Sequence, residues 1–109
     1  MSESTPVTRL QNEIHRVAVE HGWWDRDRPL GEVLMLVVTE LAEAMEAYRT
    51  GNPSSEKIEG LSSVEEELAD TVIRILDLAA GMGFDLEGAI RAKMTYNETR
   101  PYRHAGKLA

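Results

Sequence analysis

The sequence predicts an all-α fold, a bundle of four to five helices that is completed by oligomerisation. Apolar residues recur at three- and four-residue spacing in four segments, and no segment shows the apolar–polar alternation of a β-strand. The chain has 109 residues, 42% of them hydrophobic, which is enough for one domain (residues 1–109) with a small core. Because so small a core leaves apolar area uncovered, we expect a second copy of the chain to cover it.

The first two predicted helices are separated by a polar loop. The first helix spans about residues 7–21, and Gly22 provides its stop signal. Pro29 closes the loop, and its fixed φ angle suits the opening of a helix. The second helix then spans about residues 30–49 and ends at the Gly-Asn-Pro sequence of residues 51–53.

The third predicted helix has a capping signal at its start. Ser62 with Glu65, or Ser63 with Glu66, fits a capping box, in which a serine and a glutamate satisfy each other's backbone N–H groups. The helix continues to the Gly-Met-Gly break at residues 81–83. Both serines remain candidates for the N-cap at this stage.

The fourth predicted helix follows that break directly. Asp85 is a suitable N-cap, because its carboxylate can accept hydrogen bonds from the first backbone N–H groups of a helix. The helix continues to about Thr99, and Pro101 closes it, since the residue before a proline disfavours the helical conformation.

The negative charge of the chain is concentrated on two of the predicted helices. The net charge is −7, which argues against a nucleic acid as partner. Residues 30–48 and 62–80 together carry nine acidic residues and one basic residue, whereas the rest carries ten acidic and eleven basic residues. The acidity of these two helices therefore needs a local explanation.

Composition also narrows the chemistry and the address. The chain has no cysteine, which excludes a disulfide framework, a thiolate metal site and a cysteine nucleophile. The polar N-terminus lacks the order of a signal peptide, and the longest apolar run, residues 33–38, is too short to span a membrane. We therefore expect a cytoplasmic protein that has no membrane partner.

Each acidic helix carries two carboxylates three residues apart. Glu40 and Glu43 form the pair on the second helix, and Glu67 and Asp70 form the pair on the third. This spacing puts both members of a pair on one helical face. If the two pairs face each other, the four like charges repel unless a cation lies between them. Oxygen-only ligands on facing helices suit a hard cation such as Mg²⁺ or Mn²⁺. The alternative is an ordinary solvated acidic face.

On a helical wheel, apolar residues gather opposite these acids. They are Leu34, Val37, Leu41, Met45 and Tyr48 on the second helix, and Val72, Ile75, Leu76 and Ala79 on the third. Arg74 and Asp77 share the acidic side of the third helix, where they either orient the metal ligands or form a surface ion pair.

Three motifs in order resemble a known family. Glu40-Leu-Ala-Glu43, Glu67-Leu-Ala-Asp70 and Lys93-x-x-x-Asn97-x-x-Arg100-Pro-x-x-His104 resemble the all-α nucleoside triphosphate pyrophosphohydrolases of the MazG type. The resemblance covers roughly residues 22–107. Thr39 stands where many members of that family carry a further glutamate.

The resemblance implies an enzyme, a site and an assembly. Mg²⁺ would be bound by the catalytic carboxylates Glu40, Glu43, Glu67 and Asp70. Lys93 and Asn97 would contact the phosphates or sugar of the nucleotide, with Arg100 following them in the same basic segment. The reaction would cleave a nucleoside triphosphate between its α- and β-phosphates, and the enzyme would be a homodimer or homotetramer. Two alternatives are phosphoribosyl-ATP hydrolysis and a non-catalytic helical dimerisation module.

Aromatic and histidine residues near the first loop have two interpretations. Trp24, next to Trp23, either stacks on the base of the nucleotide or plugs the end of the bundle. His15 and His21 are expected to be ordinary helix-surface or capping residues. His104 lies among basic residues of the tail, where it either contacts phosphate or belongs to a flexible segment.

Overall fold

The structure, a computed structural model, describes residues 5–101 and confirms the all-α prediction. The described part has four helices and no strand: α1 (Pro6–Glu20), α2 (Leu30–Arg49), α3 (Ser63–Gly81) and α4 (Leu86–Glu98). Among these residues, no helix combines the length and the hydropathy that a membrane span requires. His104 lies outside the described residues.

The helix starts follow the predicted capping chemistry. The hydroxyl of Ser62 accepts a hydrogen bond from the backbone N–H of Glu65 at 3.1 Å, and the Glu65 carboxylate accepts one from the backbone N–H of Ser62 at 2.9 Å. This reciprocal pair selects Ser62 over Ser63 as the N-cap of α3. At α4 the Asp85 carboxylate accepts a hydrogen bond from the backbone N–H of Gly88 at 3.0 Å.

Helix α3 is the central element, because it packs against both α2 and α1. Helix α4 packs against α1 through its first half. There the buried carboxylate of Glu87 accepts a hydrogen bond from the backbone N–H of Thr8, in the first turn of α1, at 2.8 Å. Arg91, one turn further along α4, donates to the same carboxylate at 3.0 Å. The second half of α4 is exposed along its length.

The face of α2 that packs within the chain differs from the apolar face of the helical wheel. The residues of α2 buried against the rest of the chain are Val33, Val37, Glu40 and Ala44. The apolar residues Leu34, Leu41, Met45 and Tyr48 are exposed, Tyr48 by 70%. A wheel shows which residues share a face, but it does not show which neighbour that face meets. Glu40 is therefore inside the α2–α3 contact, and an apolar surface is left outside it.

The apolar face of α3 is divided in the same way. Val72 and Ile75 are exposed, whereas Leu76 and Ala79 are buried. The buried core consists of few residues, namely Val33, Val37, Ala44, Leu76, Leu78 and Ala79. The described chain thus has a small core and two large apolar faces that it does not cover itself.

The loop between α1 and α2 closes one end of the bundle with Trp24. The indole ring lies directly over Gly81, the last residue of α3, and it meets the ring of His15 edge to face, with ring centroids 5.2 Å apart. A methyl group at Gly81 would overlap the indole ring. A glycine is therefore required at position 81, because the indole ring approaches the backbone closely there. Of the two roles predicted for Trp24, this position corresponds to the plug at the end of the bundle.

This contact gives a stability prediction with a matched control. Gly81→Ala forces the indole of Trp24 to move, so we expect a loss of about 1–3 kcal/mol in the free energy of unfolding. Gly31→Ala, also in a helix, meets no atom within 4 Å. It should leave stability unchanged or raise it by up to about 1 kcal/mol, since alanine is the better helix former. Urea unfolding of both variants measures the difference, and equal effects would contradict the packing of Trp24.

Candidate metal centre

The α2–α3 contact brings three acidic side chains into one cluster. One carboxylate oxygen each from Glu40, Glu67 and Asp70 lies within 4.8 Å of the others. Glu40 belongs to the buried stripe of α2, and the other two are one turn apart on α3. The two predicted acidic pairs therefore do meet across the helix contact, and we call Glu40, Glu43, Glu67 and Asp70 the carboxylate cluster.

Glu43 joins the cluster at its exposed edge. Its charge acts on Glu67, and the two carboxyl groups are within hydrogen-bonding reach of each other. Two carboxyl groups can share a hydrogen bond only when one of them holds a proton. Without a cation, the raised pKa of Glu67 means that the cluster keeps a proton up to a higher pH than an ordinary carboxylate does.

The electrostatics of Glu67 reflect this crowding. Its pKa is raised from 4.5 to about 6, first by burial and then by the negative charges of Glu43, Asp70 and Glu40. One of its oxygens, Oε1, is buried and has no hydrogen-bond partner among the described residues. A buried oxygen without a donor is unfavourable, and a bound cation is one way to satisfy it.

Asp70 lies between acidic and basic neighbours. Burial raises its pKa first, the charges of Glu40 and Glu66 raise it further, and Lys57 and Arg74 oppose them. Lys57 belongs to the loop between α2 and α3, and its ammonium is 3.9 Å from the carboxylate of Glu66. The loop thus supplies an exposed lysine whose charge lowers the pKa of Asp70.

Arg74 is bound to the cluster through Glu40. The Arg74 Nε donates a hydrogen bond to Glu40 Oε2 at 2.7 Å, and the Glu40 side chain is only 12% exposed. This pair fixes the orientation of Glu40 and leaves its other oxygen available. Of the two predicted roles for Arg74, the geometry favours orienting a ligand over forming a surface ion pair.

The donor set fits a hard divalent cation. All the groups that converge are carboxylate oxygens, which Mg²⁺ and Mn²⁺ prefer, and no cysteine is available. The unpartnered oxygen of Glu67 and the raised pKa values of Glu67 and Asp70 are relieved by positive charge.

A cavity of about 340 Å³ opens beside the cluster. Glu40, Asp70 and Arg74 line its acidic end, and Arg28 and Trp23 from the first loop line another part. Its remaining wall is largely apolar and comes from α1 and α3: Ile14, Val17, Ala18 and Ile73. The cavity therefore combines carboxylates of the cluster with an apolar wall and two guanidinium groups.

Asp77 is the hydrogen-bonded centre of the loop end of this cavity. Its carboxylate is 2.7 Å from His15 Nδ1, and both of its oxygens are 3.0 Å from the indole nitrogen of Trp24, which donates. Arg28 lies 3.8 Å from the same carboxylate. Asp77 therefore holds the loop onto α3 through Trp24 and Arg28, and it contacts α1 through His15.

The prediction that His15 is a helix-surface residue is wrong. Its side chain is 26% exposed and is engaged with Asp77 and Trp24. Gln11, one turn earlier on the same face of α1, is also buried, whereas the apolar residues Leu10 and Val17 are exposed, so the hydrophobicity of α1 does not mark this face.

The predicted substrate contacts of α4 lie away from the cluster in the same chain. Lys93, Asn97 and Arg100 are exposed, and none of them lines the cavity. The ammonium of Lys93 lies 4.7 Å from the ring centroid of Tyr96, its neighbour on the helix. The structure thus brings the four acids together but does not bring these three residues to them.

Comparison with protein-family models, with curated proteins and with solved structures finds no match to this chain.

Proposed function

We propose that this protein hydrolyses a nucleoside triphosphate between the α- and β-phosphates, with a divalent cation held by Glu40, Glu43, Glu67 and Asp70. The observation that carries the proposal is the carboxylate cluster at the mouth of a cavity that also contains two arginines. An acidic cluster alone would repel a polyphosphate, whereas a cluster that binds cations attracts one.

The proposed chemistry uses water as the nucleophile. A cation bound by the cluster would neutralise the phosphates and polarise the anhydride. One carboxylate of the cluster would take the proton of the attacking water, and Glu67 is suited to this role because its buried Oε1 has no hydrogen-bond partner among the described residues. The water oxygen bonds to one phosphorus of the α–β anhydride, the bridging P–O bond breaks, and the products are a monophosphate and pyrophosphate.

The cavity supports a nucleoside at the other end of the substrate. Its volume of about 340 Å³ lies at the lower end of the range for small-molecule sites. Trp23 is 56% exposed at its edge, and the apolar residues of α1 and α3 offer a surface for a base. Trp24 is hydrogen-bonded to Asp77 and packed on Gly81, so it supports this wall.

Two other functions remain as alternatives. Phosphoribosyl-ATP hydrolysis involves the same bond and the same cation chemistry, so the cluster supports it equally. A helical dimerisation module without turnover is favoured by one specific observation, the large apolar faces that α2 and α3 leave exposed. Pyrophosphate release separates the module from both enzymes.

The catalytic proposal predicts the effect of replacing ligands by their amides. Glu43→Gln and Asp70→Asn keep the shape of the side chain and remove its charge. We expect each to lower the rate of pyrophosphate release from a panel of (d)NTPs and phosphoribosyl-ATP with Mg²⁺ by at least about 100-fold. The melting temperature should not fall, because amides remove charge repulsion within the cluster.

Glu46→Gln is the matched control for this experiment. Glu46 is an exposed acid on the same helix outside the cluster, so its amide variant should keep the parental rate. Parental rates in both Glu43→Gln and Asp70→Asn would contradict the assignment of the site.

The exposed surfaces support a homo-oligomer as part of the proposal. Exposed apolar side chains cover one face of α2 and part of α3, an arrangement typical of an interface. Lys93, Asn97 and Arg100 are exposed and do not line the cavity in their own chain. We infer that α4 of one copy approaches the carboxylate cluster of another, as a dimer or tetramer, so that the basic segment meets the phosphates in trans.

This arrangement predicts complementation between two inactive variants. Lys93→Ala should lower kcat/KM at least about tenfold, because it removes a phosphate contact. Mixing it with an equal amount of Asp70→Asn, after dissociation and reassociation, should restore about a quarter of the parental activity. Half of the dimers are then mixed dimers, and each mixed dimer has one intact site of its two.

A second mixture provides the control. Glu67→Gln mixed with Asp70→Asn places one defect in every site, because both residues come from the same chain. Activity should therefore stay at the level of the single variants. Recovery in both mixtures, or in neither, would contradict a site completed by the partner copy, and light scattering of a 12.2 kDa monomer would contradict it independently.

A further inference from the structure

Arg28 has an unusual environment for an arginine in a polar loop. Its side chain is only 13% exposed. The guanidinium carbon lies 5.0 Å from the ring centroid of Trp24 and 5.8 Å from that of Trp23. It is thus held by two aromatic rings and by the charge of Asp77 at 3.8 Å.

The hydrogen-bond donors of Arg28 are not used by the described part of the chain. Its contact with Asp77 is too long for a hydrogen bond, and no other acceptor is bonded to it among residues 5–101. A guanidinium has five N–H donors in a planar fork, and leaving them unpaired in a partly buried position is unfavourable. Since Arg28 lines the cavity, its donors are available to a ligand there.

The place at which the loop residue Arg28 meets α3 indicates which part of a nucleotide it would contact. Arg28 is beside Asp77, which is seven residues from Asp70, so the two carboxylates are about 10 Å apart along the helix axis. Phosphates bound by a cation at the cluster would therefore lie at one end of the cavity, and Arg28 at the other. The negative charge of Asp77 and the apolar wall beside it also favour a base over a phosphate.

We propose that Arg28 selects the nucleobase by donating to a carbonyl oxygen of the base, and that the site therefore disfavours adenine. This inference rests on the proposed nucleotide hydrolysis. Guanine, hypoxanthine, cytosine, uracil and thymine each carry a carbonyl oxygen. Adenine carries an amino group, a donor that opposes the donors of arginine.

ITP and ATP provide the test, because hypoxanthine differs from adenine in bearing a carbonyl where adenine bears the amino group. The parental protein should hydrolyse ITP with a kcat/KM at least about tenfold above that for ATP, the size expected of one hydrogen bond to a charged group. Dissociation constants measured by calorimetry with Ca²⁺ in place of Mg²⁺ should show the same order without turnover.

Variants of Arg28 should abolish the preference. Arg28→Ala should bring the ITP/ATP ratio close to one, mainly by weakening ITP. Arg28→Lys keeps the charge but lacks the fork, so it should restore only part of the ratio. Arg26→Ala, an exposed arginine of the same loop that does not line the cavity, should leave the ratio unchanged.

The outcomes separate this inference from the function on which it rests. Equal kcat/KM values for ITP and ATP in the parental protein would overturn the selection of the base. So would an Arg28→Ala variant that lowers both equally, because that result assigns the guanidinium to phosphate or to structure. Absence of turnover with a clear binding preference for ITP contradicts the hydrolysis and supports the role of Arg28, and absence of both turnover and binding overturns both.

Discussion

The structure depends on one constraint: α2 and α3 pack through a contact that includes charged carboxylates. Glu40 is 9% exposed within the buried stripe of α2, and Glu67 and Asp70 meet it from α3. Like charges this close oppose the packing that holds the two helices together. Arg74 offsets part of this repulsion, and the raised pKa of Glu67 shows that part of it remains. A cation would remove the remainder, so the proposed metal binding would stabilise the folded chain at this contact.

A second buried carboxylate, Asp77, organises the loop end of the bundle, and its charge is balanced within the chain. Asp77 is surrounded by donors, with His15, Trp24 and Arg28 around it, so it needs no external cation. The carboxylate cluster and Asp77 lie along one face of α3. The cluster has few positively charged or donor groups around it, whereas Asp77 has several. The cavity is lined by residues of both sites, which gives it an end with carboxylates and an end with hydrogen-bond donors. A nucleotide with phosphates at one end and a base at the other matches this polarity.

Much of the fold could be predicted from local sequence signals, whereas the relations between helices could not. The span of α2 and the caps Ser62 and Asp85 were predicted correctly, because proline, serine and aspartate act through nearby backbone groups. The convergence of the four acids followed from their spacing. The position of Arg28 in the cavity could not be predicted from the sequence, since it depends on where a loop folds against α3. The buried face of α2 was also hidden, because apolar residues on two sides of that helix compete for the core, and the wheel does not show which side a second copy would cover.

The most direct measurement for this account is a titration of the metal-free protein with Mn²⁺, followed by electron paramagnetic resonance at pH 5 and at pH 7.5. The pKa of Glu67 is raised to about 6, so the cluster keeps a proton at the lower pH and releases it at the higher one. Mn²⁺ must displace that proton, and we therefore expect binding to be tighter at pH 7.5 and to be lost in Asp70→Asn. No binding at either pH, or binding that Asp70→Asn leaves unchanged, would contradict the claim that the carboxylate cluster is a metal centre.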